Sequence, residues 1–177
     1  ADAVAKIFVN TNTAAAAGLI TAMAVCKLWL GKTALNASMN GALAGLVVIT
    51  ADPLTPSPII AVIYGAIGGL IVPFAMSYIE KKGIDDPVGA ISVHGVAGIV
   101  GLMLVPILNV DASFLEQAIG IGVIGGFVFS TSYLVWFLLD KTVGIRVGEQ
   151  EEVGGSDMWE AGETAYPYFM KGHGEEK

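Results

Sequence analysis

The 177 residues are 54% hydrophobic and 14% charged, with a mean hydropathy of +0.70, whereas soluble domains carry about a quarter charged residues. That composition places the chain among membrane proteins and excludes an ordinary soluble globular domain. Half of the acidic residues behind the net charge of −7 follow position 148, so an acidic tail on an apolar body argues against nucleic-acid binding. The single cysteine, Cys26, excludes an internal disulfide framework.

Five apolar segments follow in order, over 7–30, 34–51, 57–80, 87–108 and 113–139. A membrane span needs about 20 apolar residues at about 1.5 Å each, so four segments are long enough and the second is short. The polar breaks are Gly31-Lys32-Thr33, Asp52-Pro53 with Pro56 and Pro58, Lys81-Lys82-Gly83 with Asp85-Asp86-Pro87, and Asn109-Val110-Asp111. Acids ahead of a proline are helix-start signals, so Asp86-Pro87 is expected to open the fourth helix. The first segment has one lysine, then Asn10-Thr11-Asn12-Thr13, and lacks the compact basic-then-apolar order of a cleaved secretory signal.

Charge fixes an expected orientation. Lys27 and Lys32 mark the first break, Lys81 and Lys82 the third, and Lys141 and Arg146 follow the fifth segment, while the second and fourth breaks hold no Lys or Arg. With five spans these basic ends share one side, which the positive-inside rule makes cytoplasmic, leaving the N-terminus outside. Trp29, Tyr78 and Trp136 fall near the same ends, as an interfacial belt would. The expected fold is an all-α, polytopic transmembrane helix bundle, with residues 1–140 in the membrane and 141–177 as a cytoplasmic tail.

Small residues recur four apart at Gly41/Gly45, Gly65/Gly69, Ala97/Gly101 and Gly122/Gly126. Such pairs let helices cross closely. They read either as general packing or as the walls of a narrow path. The tail keeps Met158, Trp159 and Tyr166 among its acids, so docking beneath the membrane region and solvation are both open, and disorder is expected over 171–177.

His94 stands out because an imidazole within an apolar run is a site hypothesis by default. The only other histidine, His173, lies in the polar tail. His94 reads as a functional group or as a packed histidine bonded to a neighbouring carbonyl. Helical spacing puts Ala90, Ala97 and Gly98 near its face. Ser92, two residues away, falls on another face, so no nucleophile–base pair is indicated. One histidine and scattered acids make no metal site, and no phosphate loop is present. Neither a cofactor nor an enzymatic role is expected. Asn10, Thr11 and Thr13 either approach a path or bond between helices. Asp85 and Asp86 either complement a helix N-terminus, at about 0.3–1 kcal/mol each, or anchor the tail or its partner at the cytoplasmic face. Arg146 is a counter-charge for them or an ordinary positive-inside residue.

Asp85-Asp86-Pro87, followed by Val93-His94-Gly95-Val96-x-Gly98-Ile99, resembles a signature of the ammonium transporters (the Amt/Mep/Rh group). Phe8-Val9-Asn10-Thr11 resembles the start of that family's seventh helix, and Gly31-Lys32 with Asn40-Gly41-Ala42-Leu43-Ala44-Gly45-Leu46-Val47 and Ile49-Thr50-Ala51 resembles its eighth. Gly144-Ile145-Arg146-Val147 and Gly162-Glu163-Thr164-Ala165-Tyr166 resemble its cytoplasmic tail. The resemblance implies the last five of eleven helices, hence a C-terminal half whose companion half lies in the same or a separate chain. It implies plasma-membrane ammonium or ammonia transport through a histidine-lined hydrophobic pore, with His94 as the second of two pore histidines. The first histidine, the cation-recruiting acid and the outer ammonium site belong to helices with no counterpart here, so a pore built from this chain alone is not expected. A homotrimer is implied, with Asp85, Asp86, Arg146, Gly162 and Tyr166 serving tail docking or gating under a PII-type signalling protein. Ala161 stands where family tails often carry histidine, which weakens the PII inference. The alternative is a non-conducting sensor or scaffold of the same fold.

Overall fold

The computed structural model describes residues 1–162, all of its regular elements being helical. These are α1 (Asp2–Leu30), α2 (Leu35–Thr50), α3 (Pro58–Lys81), a wide π-helical turn (Ile91–Ala97) running into α4 (Gly98–Leu108), α5 (Phe114–Thr142), the short α6 (Glu149–Gly154) and a second π turn (Asp157–Ala161). Two compact units divide at Gly125/Gly126.

Four stretches are long and apolar enough to cross a membrane, namely α1, α3, Ile91–Leu108 and α5, and α2 is a shorter apolar helix of 16 residues. The expected short second segment is therefore short in the fold. Local chemistry explains the boundaries. Gly31, at φ +74°, ends α1 in the left-handed conformation, where a side chain would be strained. The Lys27 ammonium in the last turn of α1 donates to Gly31 O at 3.1 Å. Ser57 caps α3, with Pro58 in the first turn where its missing N–H costs nothing.

In the first unit, α1 is held between α2 and α3. Its buried line is Asn10, Ala14, Gly18, Ala22 and Cys26, every fourth residue. A Cβ on Gly69 would sit 2.8 Å from Gly18 Cα, and one on Gly68 would sit 2.8 Å from Ala44 O. Backbone thus lies on backbone, the arrangement that small residues permit in a bilayer, where apolar burial gives helices no reason to associate. Gly101 meets Val48 in the same way, a Cβ built on it falling 2.7 Å from the Val48 carbonyl oxygen, and so docks α4 onto α2. The Tyr64 hydroxyl donates to Leu104 O at 3.2 Å, two residues before Pro106 within α4.

The pairs Gly41/Gly45, Gly65/Gly69 and Ala97/Gly101 therefore pack as their spacing anticipates. At Gly122 and Gly126 a Cβ would meet nothing within 4 Å among the described residues beyond its own helix backbone, and α5 has no buried residue. Spacing alone says that a helix can be approached closely and not that this chain supplies the partner.

Two further expectations need correction. The fourth helix does not begin at Pro87. Residues 87–89 form a turn, Gly89 has φ +74°, and regular helix starts at residue 90. The cause is the Asp86 carboxylate, which reaches forward to Ile91 N and Ser92 N, at 3.0 Å each, and so caps from five and six residues upstream. Thr11 and Thr13 do not bond between helices either. Their hydroxyls donate to Ile7 O at 2.7 Å and Val9 O at 2.9 Å within α1, the back-bonding that Ser and Thr use inside helices. Asn10 does reach another element: its amide nitrogen donates to Pro53 O and Pro56 O, both at 2.9 Å.

Trp29 packs on Phe74 with ring centroids 4.7 Å apart, and the Lys82 ammonium lies 5.5 Å from the Tyr78 ring centroid. Trp29 and Tyr78 thus lie near helix ends that also carry lysines. In the second unit, Arg146 and Glu152 form an ion pair, with Nη2 to Oε1 at 2.7 Å and Nε to Oε2 at 3.1 Å.

Gly101→Ala drives a methyl into the Val48 backbone, so a loss of about 1–3 kcal/mol is expected. Gly98→Ala, whose Cβ would meet Val47 Cγ1 at an ordinary 3.8 Å, is expected to change stability by no more than about 0.5 kcal/mol. Equilibrium unfolding in detergent compares the two.

Candidate functional site

His94 sits at the centre of the π turn, and its side chain is exposed from the chain. It lines an open groove of about 430 Å³ with Val47, Thr50 and Ala51 of α2 and its end, and Gly98 and Leu102 of α4. The wall is aliphatic apart from Thr50, whose hydroxyl donates to Leu46 O at 2.6 Å. The imidazole makes no hydrogen bond among the described residues, so none of their carbonyls accepts from it. A neutral imidazole offers one ring nitrogen as donor and the other as acceptor.

Gly98 shares the His94 face, as helical spacing anticipates, but Ala97 is turned into the core and Ala90 lies outside the groove. A turn widened from 3.6 residues shifts which neighbours share a face, and π turns often mark functional sites. Leu102, eight residues after His94, was within reach of the same periodic reading. Thr50 and Ala51 were not, since nothing in a sequence states which helix lies opposite. Ser92 is fully buried, and its hydroxyl lies 2.8 Å from Asp86 Oδ2. It is engaged away from His94, in agreement with the absence of a nucleophile–base pair. No group of three or more potential metal ligands occurs among the described residues.

Asp86 thus receives three hydrogen bonds, two from backbone N–H groups and one from the Ser92 hydroxyl. Partial burial pushes its carboxyl up, and the bonds from Ile91 and Ser92 outweigh that effect, holding it below the ordinary 3.8. Asp85 and Asp86 also line a hollow of about 220 Å³ with Asn36, Met76, Glu80, Ile84 and Pro87. Gly89 is pressed against the Asn40 side chain, 2.9 Å from its Nδ2 to a Cβ built on the glycine. The left-handed turn and its lack of a side chain are both needed there.

At the other end of α4, Asn109 donates to Asp52 Oδ2 at 3.2 Å, and Thr55 N donates to Asp52 Oδ1 at 3.1 Å. Desolvation raises the Asp52 carboxyl and these bonds lower it further, so it too lies below 3.8. This tie between the α2–α3 connection and the end of α4 went unread in the sequence. In the second unit, Arg146 holds the Glu152 carboxyl below its ordinary value by hydrogen bonding and charge. Gly162 is left-handed, at φ +69°, and closes the last turn. Tyr166 lies outside the described residues.

A set of apolar, membrane-length helices defines a multi-pass membrane protein. Residues 1–166 match the Ammonium Transporter Family. The chain is 38% identical over 182 residues to the ammonium transporter Amt2 of Archaeoglobus fulgidus, covering 91% of this chain and 39% of that protein. It is 32% identical to the ammonium transporter of Bacillus subtilis, covering 92% and 44%. Among solved structures, one described as a sensor Amt protein superposes with a TM-score of 0.84 at 32% identity, over 91% of this chain and 43% of that one. Mep2 of Candida albicans superposes with a TM-score of 0.71 at 26% identity, over 82% and 37%. The chain belongs to the ammonium transporter family, and it spans roughly two fifths of the length of the relatives it matches.

The depressed Asp86 carboxyl gives a pH test. A group whose folded pKa lies below its unfolded value stabilises the fold above the unfolded value and loses that contribution as pH falls through the folded one. Asp86→Ala is therefore expected to be less stable than the parent at neutral pH, with the gap closing below the ordinary carboxyl value of 3.8. Thermal unfolding in detergent across pH 2.5–7 (roughly the range that brackets that titration) measures the gap.

Proposed function

We propose that this chain forms the C-terminal part of an ammonium transporter and that His94 is a proton-handling, ammonia-orienting residue of its pore. The observation that supports this most strongly is the unbonded imidazole on an aliphatic groove in a chain of this family. A bare ammonium ion meets a cost of several kcal/mol or more on entering a low-dielectric path. Release of its proton leaves neutral ammonia, for which the same path is permissive. Imidazole suits this chemistry because a neutral ring accepts with one nitrogen while donating with the other. Following the family resemblance, His94 is the second histidine of a pair, and the first belongs to helices outside this chain.

The same reading places the protein in the plasma membrane as a homotrimer, with lysine-bearing ends and residues 141–177 in the cytoplasm. Asp85, Asp86, Arg146, Gly162 and Tyr166 then belong to the cytoplasmic gate or tail-docking region, where a PII-type protein would act. The role is transport and not catalysis.

A non-conducting sensor of the same fold is the second reading, and the likeness to a structure described as a sensor Amt protein fits it without favouring it. Methylammonium uptake by the full-length protein in proteoliposomes separates the two. His94→Ala is expected to lower uptake by roughly 10²-fold, the lower end of what a positioned acid–base group contributes. Saturable ammonium binding to the parent protein without flux would establish the sensor and overturn transport.

A further inference from the structure

Among the described residues His94 has no hydrogen-bond partner, so within this chain its direction follows from its backbone and packing. That backbone belongs to the wide turn Ile91–Ala97, fixed at two places. Downstream, α4 is locked on α2 where Gly101 meets the Val48 backbone. Upstream, Asp86 accepts from Ile91 N and Ser92 N, at 3.0 Å each, and from the Ser92 hydroxyl at 2.8 Å. Gly89, against Asn40, holds the turn that brings Asp86 into place. An ordinary helix cap needs only the backbone donors. The Ser92 hydroxyl adds a part-buried, charge-assisted bond that ties the π turn to Asp86, two residues before the histidine.

We propose that Ser92 is a positioning residue: its hydroxyl, bonded to Asp86, holds the turn in its wide register, and that register directs His94 into the groove. This assignment rests on the reading of His94 as a conduction residue. Without the bond the turn relaxes to ordinary α-helical spacing, in which each residue advances by about 100°. With α4 fixed downstream, relaxation carries position 94 toward the buried setting that Val93 now occupies, and brings position 95 to the groove.

Cysteine accessibility in the full-length protein tests the register directly. Val93→Cys, His94→Cys, Gly95→Cys and Ala97→Cys are made singly, with buried Cys26 left in place, and labelled with methyl methanethiosulfonate, a small uncharged reagent. In the parent background positions 94 and 95 are expected to react, and positions 93 and 97, both buried, to be protected. Adding Ser92→Ala is expected to slow labelling at 94 by about tenfold while 95 keeps reacting, the outcome of a register shift of about one residue. In the protein with His94 intact, Ser92→Ala is expected to lower the maximal rate of methylammonium uptake more than it changes the half-saturating concentration. An unchanged labelling pattern overturns the proposal, whatever happens to uptake. Should Ser92→Ala fail to assemble, Asp86→Asn, which keeps an acceptor for Ile91 N and loses the charged acceptor for Ser92, is read in the same way. A shifted pattern combined with uptake that is indifferent to His94→Ala sustains the register assignment and sinks the conduction reading instead.

Discussion

Contact of backbone on backbone along one side of α1 is the constraint from which the rest of this fold follows. Ala14, Gly18 and Ala22 present almost no side chain, so α2 and α3 approach until main-chain atoms touch. In hydrocarbon, close packing and satisfied polar groups are what hold helices together, and larger residues on that line would separate all three. Once α2 is fixed there, Gly101 fixes α4 against Val48, and the groove between α2 and α4 acquires its shape. His94 inherits its position from contacts made by residues that carry no chemistry of their own.

The polar groups follow the same economy. Asn10 ties α1 to the carbonyls of Pro53 and Pro56, two groups with no helical partner. Asp52 and Asn109 close the same end of the unit, and Asp86 closes the start of the helix that bears His94. Each acid sits at a helix boundary where amide or backbone donors surround it, which is why both are held ionised. The groove has no such group apart from the imidazole and the Thr50 hydroxyl. On the proposed reading, so apolar a lining suits a species that travels uncharged far better than an ion that travels with its charge.

Much of this was legible in the residues. The five helices end within a few positions of their expected limits, because Gly31, Ser57-Pro58 and Asn109 are strong local signals whatever surrounds them. The short second helix and the packing at Gly41/Gly45 and Gly65/Gly69 were readable for the same reason. The start of the fourth helix was misread because Pro87 is a good first-turn residue in isolation, whereas the Asp86 carboxylate caps from a distance and Gly89 needs the turn to pass Asn40. Membership of the His94 face was half right: Gly98 shares it and Ala97 does not, since a periodic reading assumes 3.6 residues per turn and this turn is wider. The pairing of Asn10 with Pro53 and of Asp52 with Asn109 joins residues 43 and 57 positions apart, which no local pattern encodes.

The unburied length of α5, the unpacked Gly122/Gly126 pair and the open side of the groove belong to a chain that spans about two fifths of its relatives. What lies against His94 in the assembled protein decides whether the groove is a conduction path or a lipid-facing crevice. A structure of the full-length protein in lipid nanodiscs measures this directly. A second imidazole facing His94 within hydrogen-bond reach, about 2.6–3.2 Å or one water away, is the expected result. Acyl chains filling the groove would contradict it.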